Sequence, residues 1–173
     1  MNAATLINQT SGQVEYYTPQ HIVEAARLAL GGVIDLDPAS SAAANERVKA
    51  SRFYTREQGG LIQSWECETL WMNHPFGRVQ NPLWIENLID AFELGLIKRA
   101  ACCITFACTS EEWFRPLLDF PQCFLWPRTN YLLPDGTVFR GVTKGSVVTF
   151  LGRERLDTDL FRESFEGLGT VKI

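Results

Sequence analysis

The stretch Thr69-Leu70-Trp71-Met72-Asn73-His74-Pro75-Phe76-Gly77-Arg78 (TLWMNHPFGR) decides how the rest of the chain is read. Its first four residues suit a buried strand. The run then stops at an asparagine, with a proline two residues on, an aromatic ring and a glycine. Pro75 biases His74 toward extended backbone, so the carbonyl of residue 74 is held in one direction. Asn73 supplies a side-chain acceptor close by. Two convergent acceptors suit an exocyclic amino group, and Phe76 offers a face on which a base can stack. The same residues also make a plain turn with a packed ring, so their neighbours must decide.

Outward from that strand, helical and strand periods alternate. Before it, Thr18 suits an N-cap and Pro19 a first helical position. Ile22, Val23, Ala26 and Leu30 recur at helical spacing, and Gly31-Gly32 ends the helix. Residues 33–38 read as a short strand, 39–46 as a helix and 48–54 as a second strand, with a turn at 57–61. After the opening stretch, residues 82–96 form an amphipathic helix with Leu83, Trp84, Leu88 and Ala91 inward, closed by Lys98 and Arg99. Residues 100–107 are a continuous apolar strand, and Thr109 to Trp113 opens a short helix. Cys123–Trp126 and Ser146–Leu151 read as a late antiparallel strand pair, either side of a Pro-Asp-Gly turn.

This order predicts a compact Rossmann-like α/β fold, its sheet mostly parallel with helices on both faces and the antiparallel pair last. Residues 1–15 are polar and aperiodic, and are read as a flexible arm ahead of one domain over 16–173.

Composition narrows the function classes. The chain has 173 residues, 46% hydrophobic and 12% aromatic, which is enough for one core. No apolar run approaches the roughly 20 residues of a membrane helix, and the first residues lack a secretory signal, so a cytoplasmic protein is expected. Five cysteines, two of them adjacent, and only two histidines form no metal-ligand spacing; buried thiols and no metal are expected. The net charge of −4 leans against nucleic acid. Two windows run the other way. Arg47, Lys49, Arg52 and Arg56 occur without an acid, and Arg128, Arg140, Lys144, Arg153 and Arg155 stand against Asp135 and Glu154.

Ligands of open α/β sheets bind beyond the carboxyl ends of the strands. Two such ends carry unusual polar chemistry, Asp35 to Ser40 and Asn73 to Phe76, and on one sheet edge they define one pocket. An adenine amine is a poor nucleophile because its lone pair is delocalised into the ring. Accepting both its hydrogens favours the pyramidal, more nucleophilic nitrogen, so such a pocket works by positioning and by aimed dipoles.

Asn-Pro-Pro-Tyr/Phe is the catalytic motif of amino-methyltransferases acting on DNA, and the chain resembles the phage-type DNA N6-adenine methyltransferase (Dam) family. The matching pieces are YTPQHIVEAARLALG, IDLDPASSAAAN, GGLIQSW, LWMNHPFGR, EEWFRPLL, CFLWPRTNY and KGSVVTFLG, in family order over roughly residues 16–152.

The resemblance implies S-adenosylmethionine as cofactor and double-stranded DNA with a flipped adenine as substrate, in phage or prophage modification against restriction. Tyr17, Thr18 and Pro19 would border the cofactor. Asp35, Asp37, Pro38 and Ala39 would form its loop, a carboxylate facing the α-ammonium group. Gln58 stands where an acidic residue often meets the cofactor adenine. Asn73, His74, Pro75 and Phe76 would hold the target base, and Arg128, Arg140 and Lys144 would meet phosphates.

His74 departs from the family's proline. It brings an extra N–H donor and an imidazole that titrates near neutral pH, which predicts reduced, altered or pH-sensitive activity. The alternative is a methyltransferase-fold protein that binds cofactor, DNA or a host protein without turnover.

Overall fold

Side chains alternate between the faces of a strand, so a strand apolar at every position needs a helical layer on each side. The runs at 70–72 and 100–106 are of that kind. In the computed structural model, which describes residues 15–173, they lie in the middle of one seven-stranded sheet. The strands are β1 (Leu36–Asp37), β2 (Arg52–Phe53), β3 (Cys67–Met72), β4 (Ile97–Phe106), β5 (Gln122–Leu125), β6 (Ser146–Gly152) and β7 (Gly169–Lys172). The α-helices are α1 (Gln20–Ala29), α2 (Ala42–Val48), α3 (Gln80–Glu93) and α4 (Arg155–Phe165).

Trp71, Ala100, Cys102, Ile104 and Phe150 face a layer containing α1 and α4. Leu70, Met72, Ala101, Cys103 and Val147 face α3 and a 3₁₀ helix at Glu112–Asp119. The expected helices on both faces are therefore present.

Spatial order is β2-β1-β3-β4-β6-β5-β7. β1 runs parallel to β2 and β3, and β3 parallel to β4. β6 runs antiparallel to β4 and β5, and β7 antiparallel to β5. β1 to β5 thus share one direction, and the sheet is mostly parallel with β5 and β6 as the expected late pair. From β1 the chain steps to β2 on one side and then crosses to β3 on the other. The crevice where strand order reverses is therefore between β1 and β3.

Several boundaries differ from expectation for local reasons. Pro19, with ψ 144°, is the N-cap of α1, and no side chain caps that helix; the Thr18 hydroxyl is buried without a partner. Only Arg52 and Phe53 of residues 48–54 pair as a strand. Lys49 ends α2 in the left-handed region, and the Asn45 amide bonds both the N–H and the carbonyl of Ala50. Helix α3 ends at Glu93, with Gly95 at φ 77° turning the chain, so Lys98 and Arg99 belong to β4. Its buried stripe is Trp84, Ile85, Leu88, Ala91 and Phe92, which leaves Leu83 46% exposed beside it.

α4 and β7 have no counterpart in the sequence reading. The expected arm at 1–15 falls, but for Glu15, outside the described residues. Among those described, no helix is long and apolar enough to cross a membrane, and no group of three His, Cys, Asp or Glu could hold a metal. The five cysteines are free, and burial pushes the Cys103 thiol up to about 12.

Candidate functional site

The carboxyl ends of β1, β2 and β3 open into a cleft of about 630 Å³. Residues leaving all three strands line it: Asp37 to Ser41, Tyr54 to Arg56, and Asn73 to Phe76. Tyr16, Tyr17 and Thr18 close a further side, held by paired backbone bonds between Tyr17 and Leu132.

The β1 wall is built around a buried acid. Asp37 is 2% exposed, its Oδ1 accepts the Ala39 N–H at 3.1 Å, and no ion pair among the described residues neutralises it. Burial raises its pKa to about 7, against the opposing pull of the Ala39 N–H and the Ser40 hydroxyl. Close backbone approach holds this loop from below: a Cβ at Gly60 would lie 1.9 Å from the Pro38 carbonyl oxygen. The Gly60 carbonyl in turn accepts the Trp65 indole N–H at 2.8 Å. That is the physical content of the Gly-Gly-Leu-Ile-Gln-Ser-Trp segment.

The β3 wall carries the opening motif. Asn73 donates its amide to the Tyr16 carbonyl at 2.9 Å. This fixes the side chain and leaves Oδ1 with no donor among the described residues. Phe76 rests on Phe106 and Tyr131, with centroids 4.7 and 5.9 Å away. His74 is 2% exposed, set edge-on to Phe76 and parallel to Trp84.

Asn81 Oδ1 accepts the Gly77 N–H at 3.3 Å and lies 3.0 Å from His74 Nε2, so Nε2 carries the imidazole proton. Burial lowers the His74 pKa to about 4, partly offset by the Asn81 bond. The ring is therefore neutral at physiological pH. This corrects the expectation that His74 titrates near neutrality: it borders the cleft, but its side chain is buried away from water.

Four cleft-lining residues contain buried polar atoms without a protein partner: Thr18 Oγ1, Ser40 Oγ, Trp71 Nε1 and His74 Nδ1. Native proteins rarely leave such atoms unpaired, and where they cluster they mark a place a ligand or water completes.

Of the residues singled out from sequence, the cleft gathers Tyr17, Thr18, Asp37, Pro38, Ala39, Asn73, His74, Pro75 and Phe76. Six do not line it. Pro19 starts α1 behind the wall. Asp35 sits before β1, and its Oδ2 accepts the Glu68 N–H at 3.0 Å, so it braces the start of β3 instead. Gln58 is exposed and turns back to accept the Thr55 N–H at 2.8 Å, closing its own turn. Arg128, Arg140 and Lys144 are exposed outside the cleft, with Lys144 over the Phe106 ring at 6.0 Å.

Sequence reasoning missed Trp71, Tyr54, Trp84 and Arg78 as lining residues. Arg47 and Arg56, noted only as part of a basic window, also line the cleft, and Arg47 stands over the Tyr17 ring at 5.9 Å. Arg78 closes the opening motif and was available to that reading. Trp71 was not, because a strand residue that faces a helical layer reads as core.

A family model described as DNA N-6-adenine-methyltransferase (Dam) matches residues 8–124, more than half of the chain and a span that takes in every residue of the cleft. No curated protein matches.

Proposed function

The chain belongs to the DNA N-6-adenine-methyltransferase (Dam) family, and we propose that it methylates the N6 amine of adenine in double-stranded DNA, using S-adenosylmethionine, in the cleft at the ends of β1 and β3. The observation that carries this reading is Asn73: its amide nitrogen is tied to the Tyr16 carbonyl, so its oxygen is the atom left for a ligand donor, beside the ring of Phe76.

The cleft suits both the cofactor and a base. Its volume lies within the roughly 300–1,000 Å³ of small-molecule sites. Asp37 would meet the α-ammonium group of the methionine end, and that cation would draw its carboxyl toward the charged form. Tyr17, Ala39 and Leu61 offer apolar contact, and Thr18 and Trp71 supply polar atoms without protein partners. Asp35 and Gln58 have no part in this reading, since both bond elsewhere.

When bound, the cofactor supplies an electrophilic methyl group. The protein's part is to present the amine. Asn73 Oδ1 and the carbonyl of residue 74 accept the two N6 hydrogens and aim the nitrogen lone pair. Phe76 would stack on the base, and one N6 proton would leave to solvent as the N–C bond forms and the methyl group's bond to sulfur breaks. Duplex DNA hides this amine, so the adenine must first leave the stack. The biological role that fits is modification of phage or prophage DNA against restriction.

The test is transfer of labelled methyl from S-adenosylmethionine to unmodified DNA. Wild type should label adenine N6, and Asn73→Ala should reduce the rate by about 100-fold or more. Absence of transfer by wild type on adenine-containing duplexes of varied sequence would overturn the reading.

A further inference from the structure

In the motif the chain resembles, a second proline stands at the position of His74, and here the imidazole is held through Nε2 and by two neighbouring rings, with Nδ1 left unpartnered. We propose that His74 and Asn81 form a side-chain clamp that replaces the missing proline ring and keeps Asn73 and the carbonyl of residue 74 aimed into the cleft. The clamp makes His74 and Asn81 positioning residues. Its catalytic readout rests on the function proposed above, whereas its effect on the loop does not.

A proline removes freedom at its own φ and restricts the residue before it. With His at 74, only Pro75 does so, and the Asn73–His74 unit has conformational entropy that must be overcome in another way. Asn81 is the second residue of α3, so it is anchored in a regular helix. Three hydrogen bonds link it to the loop. Its N–H donates to the Gly77 carbonyl at 2.9 Å, and its Oδ1 accepts from Gly77 N–H at 3.3 Å and from His74 Nε2 at 3.0 Å.

The same helix supplies Trp84, whose ring lies 6.4 Å from the imidazole at an interplanar angle of 29°. Trp84 is itself fixed by donating to Gln80 Oε1 at 3.1 Å. On the loop side, Phe76 meets the imidazole edge at 5.4 Å. His74 is thus gripped from α3 and from two residues further along its own loop. At 2% exposure, water has little access with which to replace the Asn81 bond. A histidine that merely filled space would not need a shared acceptor that also fixes Gly77.

The test is a double-mutant cycle of Asn81→Leu and His74→Pro, read in two ways. The first is turnover with labelled cofactor, with the KM for cofactor measured alongside. The second is amide hydrogen exchange at Phe76, with the amides of β4 as an internal control for folding.

In the wild-type background, Asn81→Leu should slow turnover about tenfold and speed exchange at Phe76 by a similar factor, with cofactor KM within about twofold. In the His74→Pro background, the same substitution should change both by less than about threefold, because the proline ring has taken over. Asn81→Asp keeps the acceptor and should stay within about threefold of wild type. Equal losses in both backgrounds, or no loss in either, would overturn the clamp. If wild type transfers no methyl group, the proposed function fails, and the exchange cycle alone still decides the clamp.

Discussion

Asp37 and Asp157 are both buried carboxylates, 2% and 3% exposed, and their surroundings are opposite. Asp157, on α4, accepts from Arg99 Nε at 3.0 Å and from Nη2 at 2.9 Å. Arg99 Nη1 also reaches the Leu30 carbonyl, so one guanidinium ties β4 to α4 and to the end of α1. Asp37, which lines the cleft, accepts one backbone N–H, from Ala39, and has no cation among the described residues. Burial alone therefore does not distinguish scaffold from site. Completeness of partners does, because a paired buried charge holds elements together while an unpaired one is a standing cost that a ligand can remove.

The contrast breaks first at its scaffold end. Arg99→Leu would leave the Asp157 carboxylate buried without its cation. We expect a loss of about 2 kcal/mol, below the 3–5 kcal/mol typical of fully buried pairs because the Arg99 side chain is 38% exposed. Urea unfolding should show a lower midpoint at unchanged slope, with cofactor affinity unaltered. An unchanged midpoint would mean that the pair does not hold the scaffold together.

At the site end, Asp37→Asn should do the reverse. Cofactor affinity, followed by calorimetry, should fall about tenfold as the charge proposed to face the ammonium group is lost. Stability at pH 7 should hold or rise. Its pH dependence also has a definite sign. Asp37 titrates at about 7 in the folded state against an ordinary 3.8, so the folded state carries the extra proton between those values. Its contribution therefore falls as pH rises through that window.

His74 opposes it: with a folded pKa of about 4 against 6.5, its contribution rises with pH between them. In wild type the two slopes largely cancel from about pH 4 to 6.5. Removing Asp37 should expose the His74 slope, giving stability that increases with pH over that range. A flat profile in Asp37→Asn would contradict this assignment of the two protons.

The same comparison explains what could be read in the chain beforehand. Asp37 and Asn73 were legible because one ends an apolar strand and the other directly follows one, and parallel strands place their carboxyl ends together. Asp157 was not, because the first half of α4 is mostly polar and its partner Arg99 read as the end of a helix. Gln58 and Asp35 were misplaced because each side chain satisfies a backbone N–H, Gln58 within its own turn and Asp35 at the start of β3, and spacing alone does not show which way they face. His74 was visible as a departure from the motif, but its meaning was not. Asn81 and Trp84 bury it from the next helix, and that tertiary contact turns a titratable surface imidazole into a neutral buried one.

The smallest effects should come from cations that flank the cleft without lining it. Arg128 lies three residues past the end of β5, and Lys144 two residues before β6, which starts where β5 ends because the two run antiparallel. Both therefore stand at the sheet edge that carries the cleft, with Arg140 in the loop between them. Residues 126–145 hold these three cations against Asp135 alone, in a chain of net charge −4. None of the three is in an ion pair among the described residues. Three strand positions separate β3 from β5, about 14 Å, or roughly four phosphates along one DNA strand. A duplex whose adenine enters the cleft would thus pass over this edge. Replacing each by alanine should weaken DNA binding a few-fold regardless of sequence and reduce the salt slope by about one, with cofactor affinity unchanged. If the triple variant keeps the wild-type salt slope, DNA approaches from another side, and Arg47, Arg56 and Arg78 in the cleft itself become the cations to test.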